Sequence, residues 1–203
     1  GLALICNRQG RGPDAANYFK QANRLLPAGP GGAVILDFQD LAASLFFLAK
    51  EKYKQGMIEQ AEVLFRYSLL IETDRLWPGH PIVGDNVQLL GDLYRSQAMP
   101  VQAEFLYRKA LEIRRAVMGP DHLDVAISAN CLGVLLCDNH RYKEAEPFLL
   151  EACEIRKRAG FPPVYANSLR AYAGCLRHLD RLDEANECEQ KARSIYDRYN
   201  QSS

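Results

Sequence analysis

The amino-acid sequence predicts an all-α fold, a solenoid of about five antiparallel helix-turn-helix hairpins. Five alanines recur at spacings of 46, 42, 42 and 40 residues, namely Ala15, Ala61, Ala103, Ala145 and Ala185. A period of this length is typical of stacked supersecondary units. Around these alanines the apolar residues recur three or four positions apart, which is the period of an amphipathic helix.

The clearest hairpin lies within residues 87–111. Its first helix carries a one-face stripe at i, i+3, i+4 and i+7, formed by Val87, Leu90, Gly91 and Tyr94. The second helix carries a similar stripe at i, i+4 and i+7, formed by Ala103, Tyr107 and Ala110. Between the stripes, Pro100 suits the first turn of a helix, because proline has no N–H to donate there.

Small residues within these helices have a predicted packing role. Gly91 and Gly133 lie in helix interiors, where glycine costs about 1 kcal/mol relative to alanine. Burial of one additional Leu or Tyr returns roughly 1.5–3 kcal/mol. We therefore predict that the two glycines, like Ala103 and Ala145, let the helices of a hairpin approach closely.

The links between hairpins repeat as well. Gly119 and Pro120 are predicted to end one helix, and Asp121 to cap the next. The segment 160–163 has the same character, and the Gly/Pro-rich stretch 27–32 explains the longer 46-residue spacing. The predicted units are residues 1–32 (truncated), 33–78, 79–120, 121–161 and 162–200 of a single array.

Composition restricts the class of protein. The chain has 25 Lys and Arg residues against 25 Asp and Glu residues, which argues against nucleic-acid binding. No apolar run reaches the ~20 residues of a membrane span. The six cysteines include no CxxC pair and favour buried free thiols in an intracellular, cytoplasmic setting.

These residues resemble the tetratricopeptide repeat family. The pattern of a Leu-Gly pair and a Tyr on the first helix, followed by an Ala, an aromatic residue and a second Ala, is carried by Leu90, Gly91, Tyr94, Ala103, Tyr107 and Ala110. The next unit matches through Leu132, Gly133, Leu136, Ala145, Leu149 and Ala152. In the last unit, Glu189 replaces the aromatic residue. The sequence of residues 110–126 and the 42-residue repeat length resemble the longer repeats of kinesin light chains.

The resemblance implies a right-handed superhelix whose first helices line a concave groove for a peptide or partner domain. It also implies that the chain, whose first unit begins within a helix at Gly1, is a fragment of a longer array. The polar final helix, residues 182–199, is expected to cap the array.

The stripe of each first helix that is rotated away from the core is predicted to face the groove. Its residues are Phe46, Lys50, Tyr53, Lys54, Gln88, Asp92, Arg95, Asn130, Val134, Asp138, Asn167, Arg170, Arg177 and His178. Because basic residues outnumber acidic ones here, an acidic extended peptide is a candidate ligand. Gln88 and Asn130 could bind its backbone amides, and Tyr53 and Phe46 could pack an anchor side chain. The alternatives are a different protein surface as ligand, or simple solvation of these positions.

Catalytic and metal-binding patterns are not evident. The sequence has neither a phosphate-binding glycine loop nor a nucleophile elbow. Cys131 and Cys137 diverge on a helix, so no metal or cofactor is expected, and His178 is the one histidine suited to a ligand role. Phe47, Leu89 and Cys131 stand where the family's chaperone-tail clamp needs polar residues.

Two alternative functions remain open. A phosphatase-type or regulatory repeat protein would need a groove constellation such as Asp92 with Gln88. A self-associating assembly module would use an exposed end of the array. The basic runs 114–115 and 156–158, together with Glu144 and Glu146, are interpreted as solvated helix faces.

Overall fold

The computed structural model describes residues 38–75 and 81–201. These ranges contain eight α-helices and no strand: α1 Phe38–Lys54, α2 Ile58–Arg75, α3 Pro81–Ser96, α4 Pro100–Met118, α5 Leu123–Asp138, α6 Tyr142–Ala159, α7 Pro162–His178 and α8 Leu182–Gln201. The predicted first unit, the stretch 27–32 and the link 76–80 lie outside the described residues. No helix in the described ranges is both long and apolar enough to span a bilayer.

The chain divides into two compact units, one ending at Asn86 and the other beginning at Val87. In the N-terminal unit α1 packs against α2. Its core contains Leu41, Leu45, Leu64 and Phe65, each at most 1% exposed. The hydroxyl of Ser68 on α2 lies 2.8 Å from the carbonyl oxygen of Ala42 on α1, which places the two backbones close together.

In the C-terminal unit the helices pack mainly on their neighbours in sequence. Contacts join α4 to α5, α5 to α6, α6 to α7 and α7 to α8, and α5 also meets α7. The repeated alanines Ala103, Ala145 and Ala185 are fully buried at these helix crossings. The helical periodicity therefore predicted these helices correctly.

The predicted close approach at the two helix glycines is confirmed. A Cβ on Gly91 would lie 2.7 Å from Cε1 of Tyr107, and a Cβ on Gly133 would lie 2.6 Å from Cγ of Leu149. Tyr107 and Leu149 are completely buried. In the last hairpin the helical Gly174 faces open space instead, with no atom within 4 Å of a Cβ added there.

The turns follow the predicted chemistry with one correction. Pro100 begins α4, and Gly160 ends α6 in the left-handed conformation. The prediction that Asp121 caps α5 was wrong, because Nδ1 of His122 accepts the hydrogen bond from the backbone N–H of Asp124. Asp121 instead forms an ion pair with Arg158, at 2.8 Å.

A buried polar cluster joins each of two consecutive hairpins to the next. Arg114 on α4 donates to Oγ of Ser128 on α5 at 2.7 Å and to the carbonyl oxygen of Asp124 at 3.0 Å. Ser128 in turn donates to Oε1 of Gln88 on α3 at 2.9 Å. The cluster therefore ties both helices of one hairpin to the first helix of the following hairpin.

The second cluster occupies equivalent positions one repeat later. Arg156 on α6 donates to Oγ of Ser168 on α7, and Ser168 lies 3.4 Å from Oδ1 of Asn130 on α5. In the N-terminal unit, Glu72 stands where the arginines stand, 3.4 Å from the side-chain amide of Asn86. These contacts give most of the buried polar atoms of the clusters a hydrogen-bond partner, although Nε of Arg114 and Nε of Arg156 have none among the described residues.

The solvated-face interpretation of the basic runs was wrong for one residue in each run. Arg114 and Arg156 are buried, at 4% and 8% exposure, whereas Arg115, Lys157 and Arg158 are exposed. Likewise Glu146 is half-buried and forms an ion pair with Arg181. One position in each run therefore points into the array, and sequence composition alone does not mark it.

A repeated ion triad joins the second helices on the outside. Arg141, which precedes α6, pairs with Glu144 at 2.7 Å and with Glu104 on α4 at 2.6 Å. One repeat later Arg181 pairs with Glu184 and Glu146 in the same way. Burial opposes ionisation of Glu104, but the hydrogen bonds from Arg141 and Arg108 outweigh it and lower the pKa of that carboxyl group.

The two kinds of glycine environment predict opposite responses to alanine. Gly91→Ala should destabilise the fold, since the buried Tyr107 ring cannot move away and overpacking costs about 1–3 kcal/mol. Gly174→Ala should stabilise it by up to about 1 kcal/mol, because alanine has the higher helix propensity and space is free. Urea unfolding followed by circular dichroism measures both. Equal effects of the two changes would contradict the packing role.

Removal of the Ser128 hydroxyl should weaken the coupling between hairpins. We expect Ser128→Ala to lower the free energy of unfolding by about 1–3 kcal/mol, because Arg114 and Gln88 lose a buried partner. Ser194→Ala is the matched control: its hydroxyl is exposed and donates to the carbonyl of Lys191. It should change stability by less than about 0.5 kcal/mol.

The outer triad predicts acid sensitivity. Because the folded-state pKa of Glu104 is depressed, its contribution is present above the unfolded pKa and is lost as pH falls through the folded value. Arg141→Gln should therefore reduce the drop in melting temperature between about pH 7 and about pH 3. Lys143→Gln, at an exposed position in the first turn of α6, should leave that drop unchanged. A drop of the same size in both variants would count against the triad.

Candidate functional site

The predicted groove positions divide into buried and exposed residues. Phe46 and Gln88 are each 4% exposed. Phe46 packs edge-on against Phe65 with ring centroids 6.0 Å apart, and Gln88 belongs to the Arg114 cluster. Both side chains are therefore used inside the protein, so the expected anchoring by Phe46 and amide binding by Gln88 find no support in the structure.

The remaining predicted positions of the C-terminal unit share exposure or partial exposure on the first helices of three hairpins. We call this set the first-helix face: Asp92 and Arg95 on α3; Asn130, Val134 and Asp138 on α5; Asn167, Arg170, Arg177 and His178 on α7. The repeat places Asp92, Val134 and Gly174 at equivalent positions, in line along the array. At two of these positions little side chain projects from the helix: Gly174 has open space beside it, and Val134 is half-buried.

The acidic residues of the face are held by neighbouring side chains. Tyr107 donates to Oδ1 of Asp92 at 2.7 Å, and Nε2 of Gln88 lies 3.4 Å from the same oxygen. Burial and the Asp92 charge raise the pKa of Tyr107, so its hydroxyl remains a donor. Asp138 pairs with Arg95 on the preceding first helix at 3.0 Å.

Residues that were not predicted from the sequence contact the α7 part of the face. Arg177 pairs with Glu189 on α8 at 2.6 Å. Asn167 accepts a hydrogen bond from Tyr196, also at 2.6 Å. His178 stacks on Tyr142, with centroids 4.3 Å apart. The replacement of the family's aromatic residue by Glu189 was the one signal in the sequence that pointed to such a contact.

Fewer cations of the face are unpaired than the excess of basic residues among the predicted positions suggested. Within the C-terminal unit Arg95 and Arg177 are paired with carboxylates. Arg170 is exposed, and among the described residues it forms neither an ion pair nor a hydrogen bond. It is therefore the cation of this face that is most available to a ligand.

The N-terminal unit carries its own predicted positions on α1. Lys50 lies over the rings of Phe46 and Phe47, at 5.4 and 5.9 Å from their centroids. Lys54 pairs with Glu51 at 3.0 Å, and Tyr53 is half-buried. Phe47 is 59% exposed, so an apolar ring accompanies the Lys50 charge at the surface.

The described cysteines are free thiols, and Cys6 lies outside the described residues. Burial raises the pKa of Cys131 to about 11 and that of Cys153 to about 12, so neither is a thiolate at neutral pH. Among the described residues no group of His, Cys, Asp and Glu is arranged to hold a metal ion.

Comparison with solved structures identifies the fold. BtubC (BKLC) from P. vanneervenii aligns with a TM-score of 0.81 at 20% identity, covering 98% of this chain and 78% of that one. A putative kinesin light chain from Podosopora anserina with nearly identical TPR-like repeats aligns with a TM-score of 0.72 at 18% identity, covering 98% of this chain and 93% of that one. At these identities the likeness shows a shared fold, an all-α TPR-like solenoid.

A third structure comes from a protein named for an activity. Aspartyl phosphate phosphatase F from Bacillus subtilis aligns with a TM-score of 0.74 at 15% identity, covering 98% of this chain but 49% of that one. No curated protein sequence matches the chain significantly.

A family model described as Tetratricopeptide repeat matches residues 85–158 and 124–198. Together the two matches cover residues 85–198, more than half of the 203 residues. The sequence repeat, the helix pairs and this match agree. The chain therefore belongs to the tetratricopeptide repeat family, whose arrays generally act as scaffolds for protein interaction.

Proposed function

We propose that this chain is a protein-interaction module that binds an extended segment of a partner along the first-helix face. The observation that carries the proposal is the exposure of equivalent positions on three consecutive first helices. The clusters and ion triads described above use other polar positions for packing between hairpins, and of the first-helix face they involve Asn130, through Ser168. A partner segment would therefore meet side chains that the fold leaves available.

The chemistry of the face supports a peptide backbone as ligand. The side-chain oxygens of Asn130 and Asn167 already accept from Ser168 and Tyr196, but the amide N–H groups of the two residues could donate to the C=O groups of an extended chain. Val134 is a half-buried apolar side chain, and Gly174 leaves open space on the same face. An apolar side chain of the ligand would contact this surface, and polar neighbours would fix its orientation.

An acidic ligand is the form of this proposal that the charges support best. Arg170 is a cation of this face with no ion pair in the described part of the chain. Arg95 and Arg177 lie in exposed pairs, whose net stabilisation is small, so a ligand carboxylate could compete for them. The overall charge balance supports a protein ligand over nucleic acid. The free thiols support an intracellular, cytoplasmic site of action.

Two alternative functions have less support. A phosphatase-type role would need Asp92 to act on a water molecule or a phosphoryl group, yet its Oδ1 already accepts the Tyr107 hydroxyl. Saturable phosphate release that is lost in Asp92→Ala would establish that role. Self-association through an end of the array would appear in light scattering as a concentration-dependent mass.

Charge reversal on the proposed face should weaken binding of an acidic peptide. Peptides selected on the wild-type protein from a display library should be enriched in Asp and Glu. Arg95→Glu should weaken their affinity, measured by isothermal titration calorimetry, by about tenfold or more, and Arg170→Glu should do the same.

Lys143→Glu is the matched control, since Lys143 is an exposed cation on the second helix α6. It should leave the affinity within about twofold. Unchanged affinity in both face variants would remove the acidic-peptide proposal. If the enriched peptides lack acidic residues but their binding still depends on Asn130, the first-helix face would remain the binding site and the ligand would not be acidic.

A further inference from the structure

A mainly apolar cavity of about 250 Å³ lies between the third and fourth described hairpins. It is lined by Arg156, Lys157, Gly160, Phe161, Pro162, Tyr165 and Ile195, which come from the end of α6, the start of α7 and the later part of α8. None of these lining residues belongs to the first-helix face, and none carries a carboxylate. The volume is below the range of about 300–1,000 Å³ that is usual for whole small-molecule ligands. The cavity is therefore sized for one large side chain of another molecule.

The apolar walls of the cavity are partly open to solvent. Phe161 is 54% exposed, and Tyr165 and Ile195 are half-buried. One repeat earlier, Val125 and Ile155 occupy the positions of Tyr165 and Ile195, and these two residues are 0% and 2% exposed. An apolar surface that the fold covers in one repeat is therefore left uncovered in the next. Contiguous exposed apolar surface is typical of a site where another molecule binds.

Two lysines without a carboxylate partner stand at this cavity. Nζ of Lys191 lies over the Tyr165 ring, 6.0 Å from its centroid, and Lys191 shares a face of α8 with Ile195, four residues later. Lys157 lines the cavity from the end of α6 and is exposed. Among the described residues neither lysine forms an ion pair. The guanidinium of Arg156 is instead used in the buried cluster with Ser168. A ligand with carboxylates beside its apolar group would therefore meet complementary charges.

From these features we propose that the cavity is a docking site for a partner protein and takes one large apolar side chain, Leu or Phe, that is flanked by Asp or Glu. The apolar side chain contacts Phe161, Tyr165 and Ile195, and the flanking carboxylates meet Lys157 and Lys191. The site shares no residue with the first-helix face, so it does not depend on the function proposed for that face.

The experiment selects ligands for the cavity itself. A random dodecapeptide library displayed on phage is first depleted on Ile195→Trp, in which the larger side chain fills the cavity, and is then bound to the wild-type protein. The selected peptides should carry Leu or Phe next to Asp or Glu. Replacement of that apolar residue by Ala should weaken the affinity, measured by isothermal titration calorimetry, by about tenfold or more. The peptides should also shift the amide signals of Gly160, Phe161 and Tyr165 saturably in ¹⁵N-labelled protein.

Two pairs of variants separate the apolar contact from the charges. Phe161→Ala should weaken binding by about tenfold, whereas Phe105→Ala, which removes a similarly exposed ring on α4, should leave the affinity within about twofold. Lys157→Gln with Lys191→Gln should weaken binding about fivefold or more at low salt, because two attractive charges are lost. Lys143→Gln, at an exposed position on α6, should leave the affinity unchanged.

Arg170→Glu distinguishes this site from the first-helix face. The affinity of the selected peptides should not change in that variant, and its loss would assign the peptides to the face and overturn the cavity proposal. Selected peptides without a Leu or Phe requirement, or equal affinities of Phe161→Ala and the wild type, would overturn it as well. So would the absence of selected peptides, in which case saturable shifts of the same signals by decanoate would assign the cavity to an acyl chain. If circular dichroism shows that Ile195→Trp does not fold, Phe161→Ala takes its place in the depletion step.

Discussion

Each hairpin in this protein depends on a small residue of one helix lying against a large side chain of the other. At Gly91 the Tyr107 ring occupies the place that a Cβ would take, and at Gly133 Leu149 does the same. The buried alanines keep the backbones close along the same crossings. The hydroxyl of Tyr107 can reach Asp92 on the first helix because of this approach. The position of one face residue is thus a consequence of the helix packing.

A hairpin of two helices cannot bury its apolar surface alone, so the units must also be joined to one another. Buried arginines do this with polar partners on the two adjacent first helices, while Arg141 and Arg181 join the second helices on the outside. Because these contacts consume most inward-pointing polar groups, the side chains left over lie on the first-helix face. The proposed binding surface therefore consists of side chains that the packing between hairpins leaves exposed, and the same packing holds these side chains in position.

Much of the fold could be predicted from the sequence, because period and small residues report packing directly. The helices, the start at Pro100 and the roles of Gly91 and Gly133 all follow from local chemistry. The inward turn of Gln88, Phe46, Arg114 and Arg156 could not be predicted, since each lies at the margin between a core stripe and a polar stripe. A small rotation of the helix about its axis turns such a residue toward the core or toward solvent. Contacts with side chains on other helices determine that rotation. His122, and not Asp121, caps α5, and Asp121 pairs with Arg158 of α6.

We infer that buried Arg–Ser contacts couple neighbouring hairpins into one cooperative surface. Native-state hydrogen exchange of Ser168→Ala against the wild type tests it most directly. We expect buried amides of both α6 and α7 to exchange about tenfold or more faster in the variant, since a buried hydrogen bond to Arg156 is lost and about 1.4 kcal/mol corresponds to tenfold. Amides of α3 and α4 should change much less. Unchanged exchange in α6 and α7, with the fold intact, would contradict the coupling.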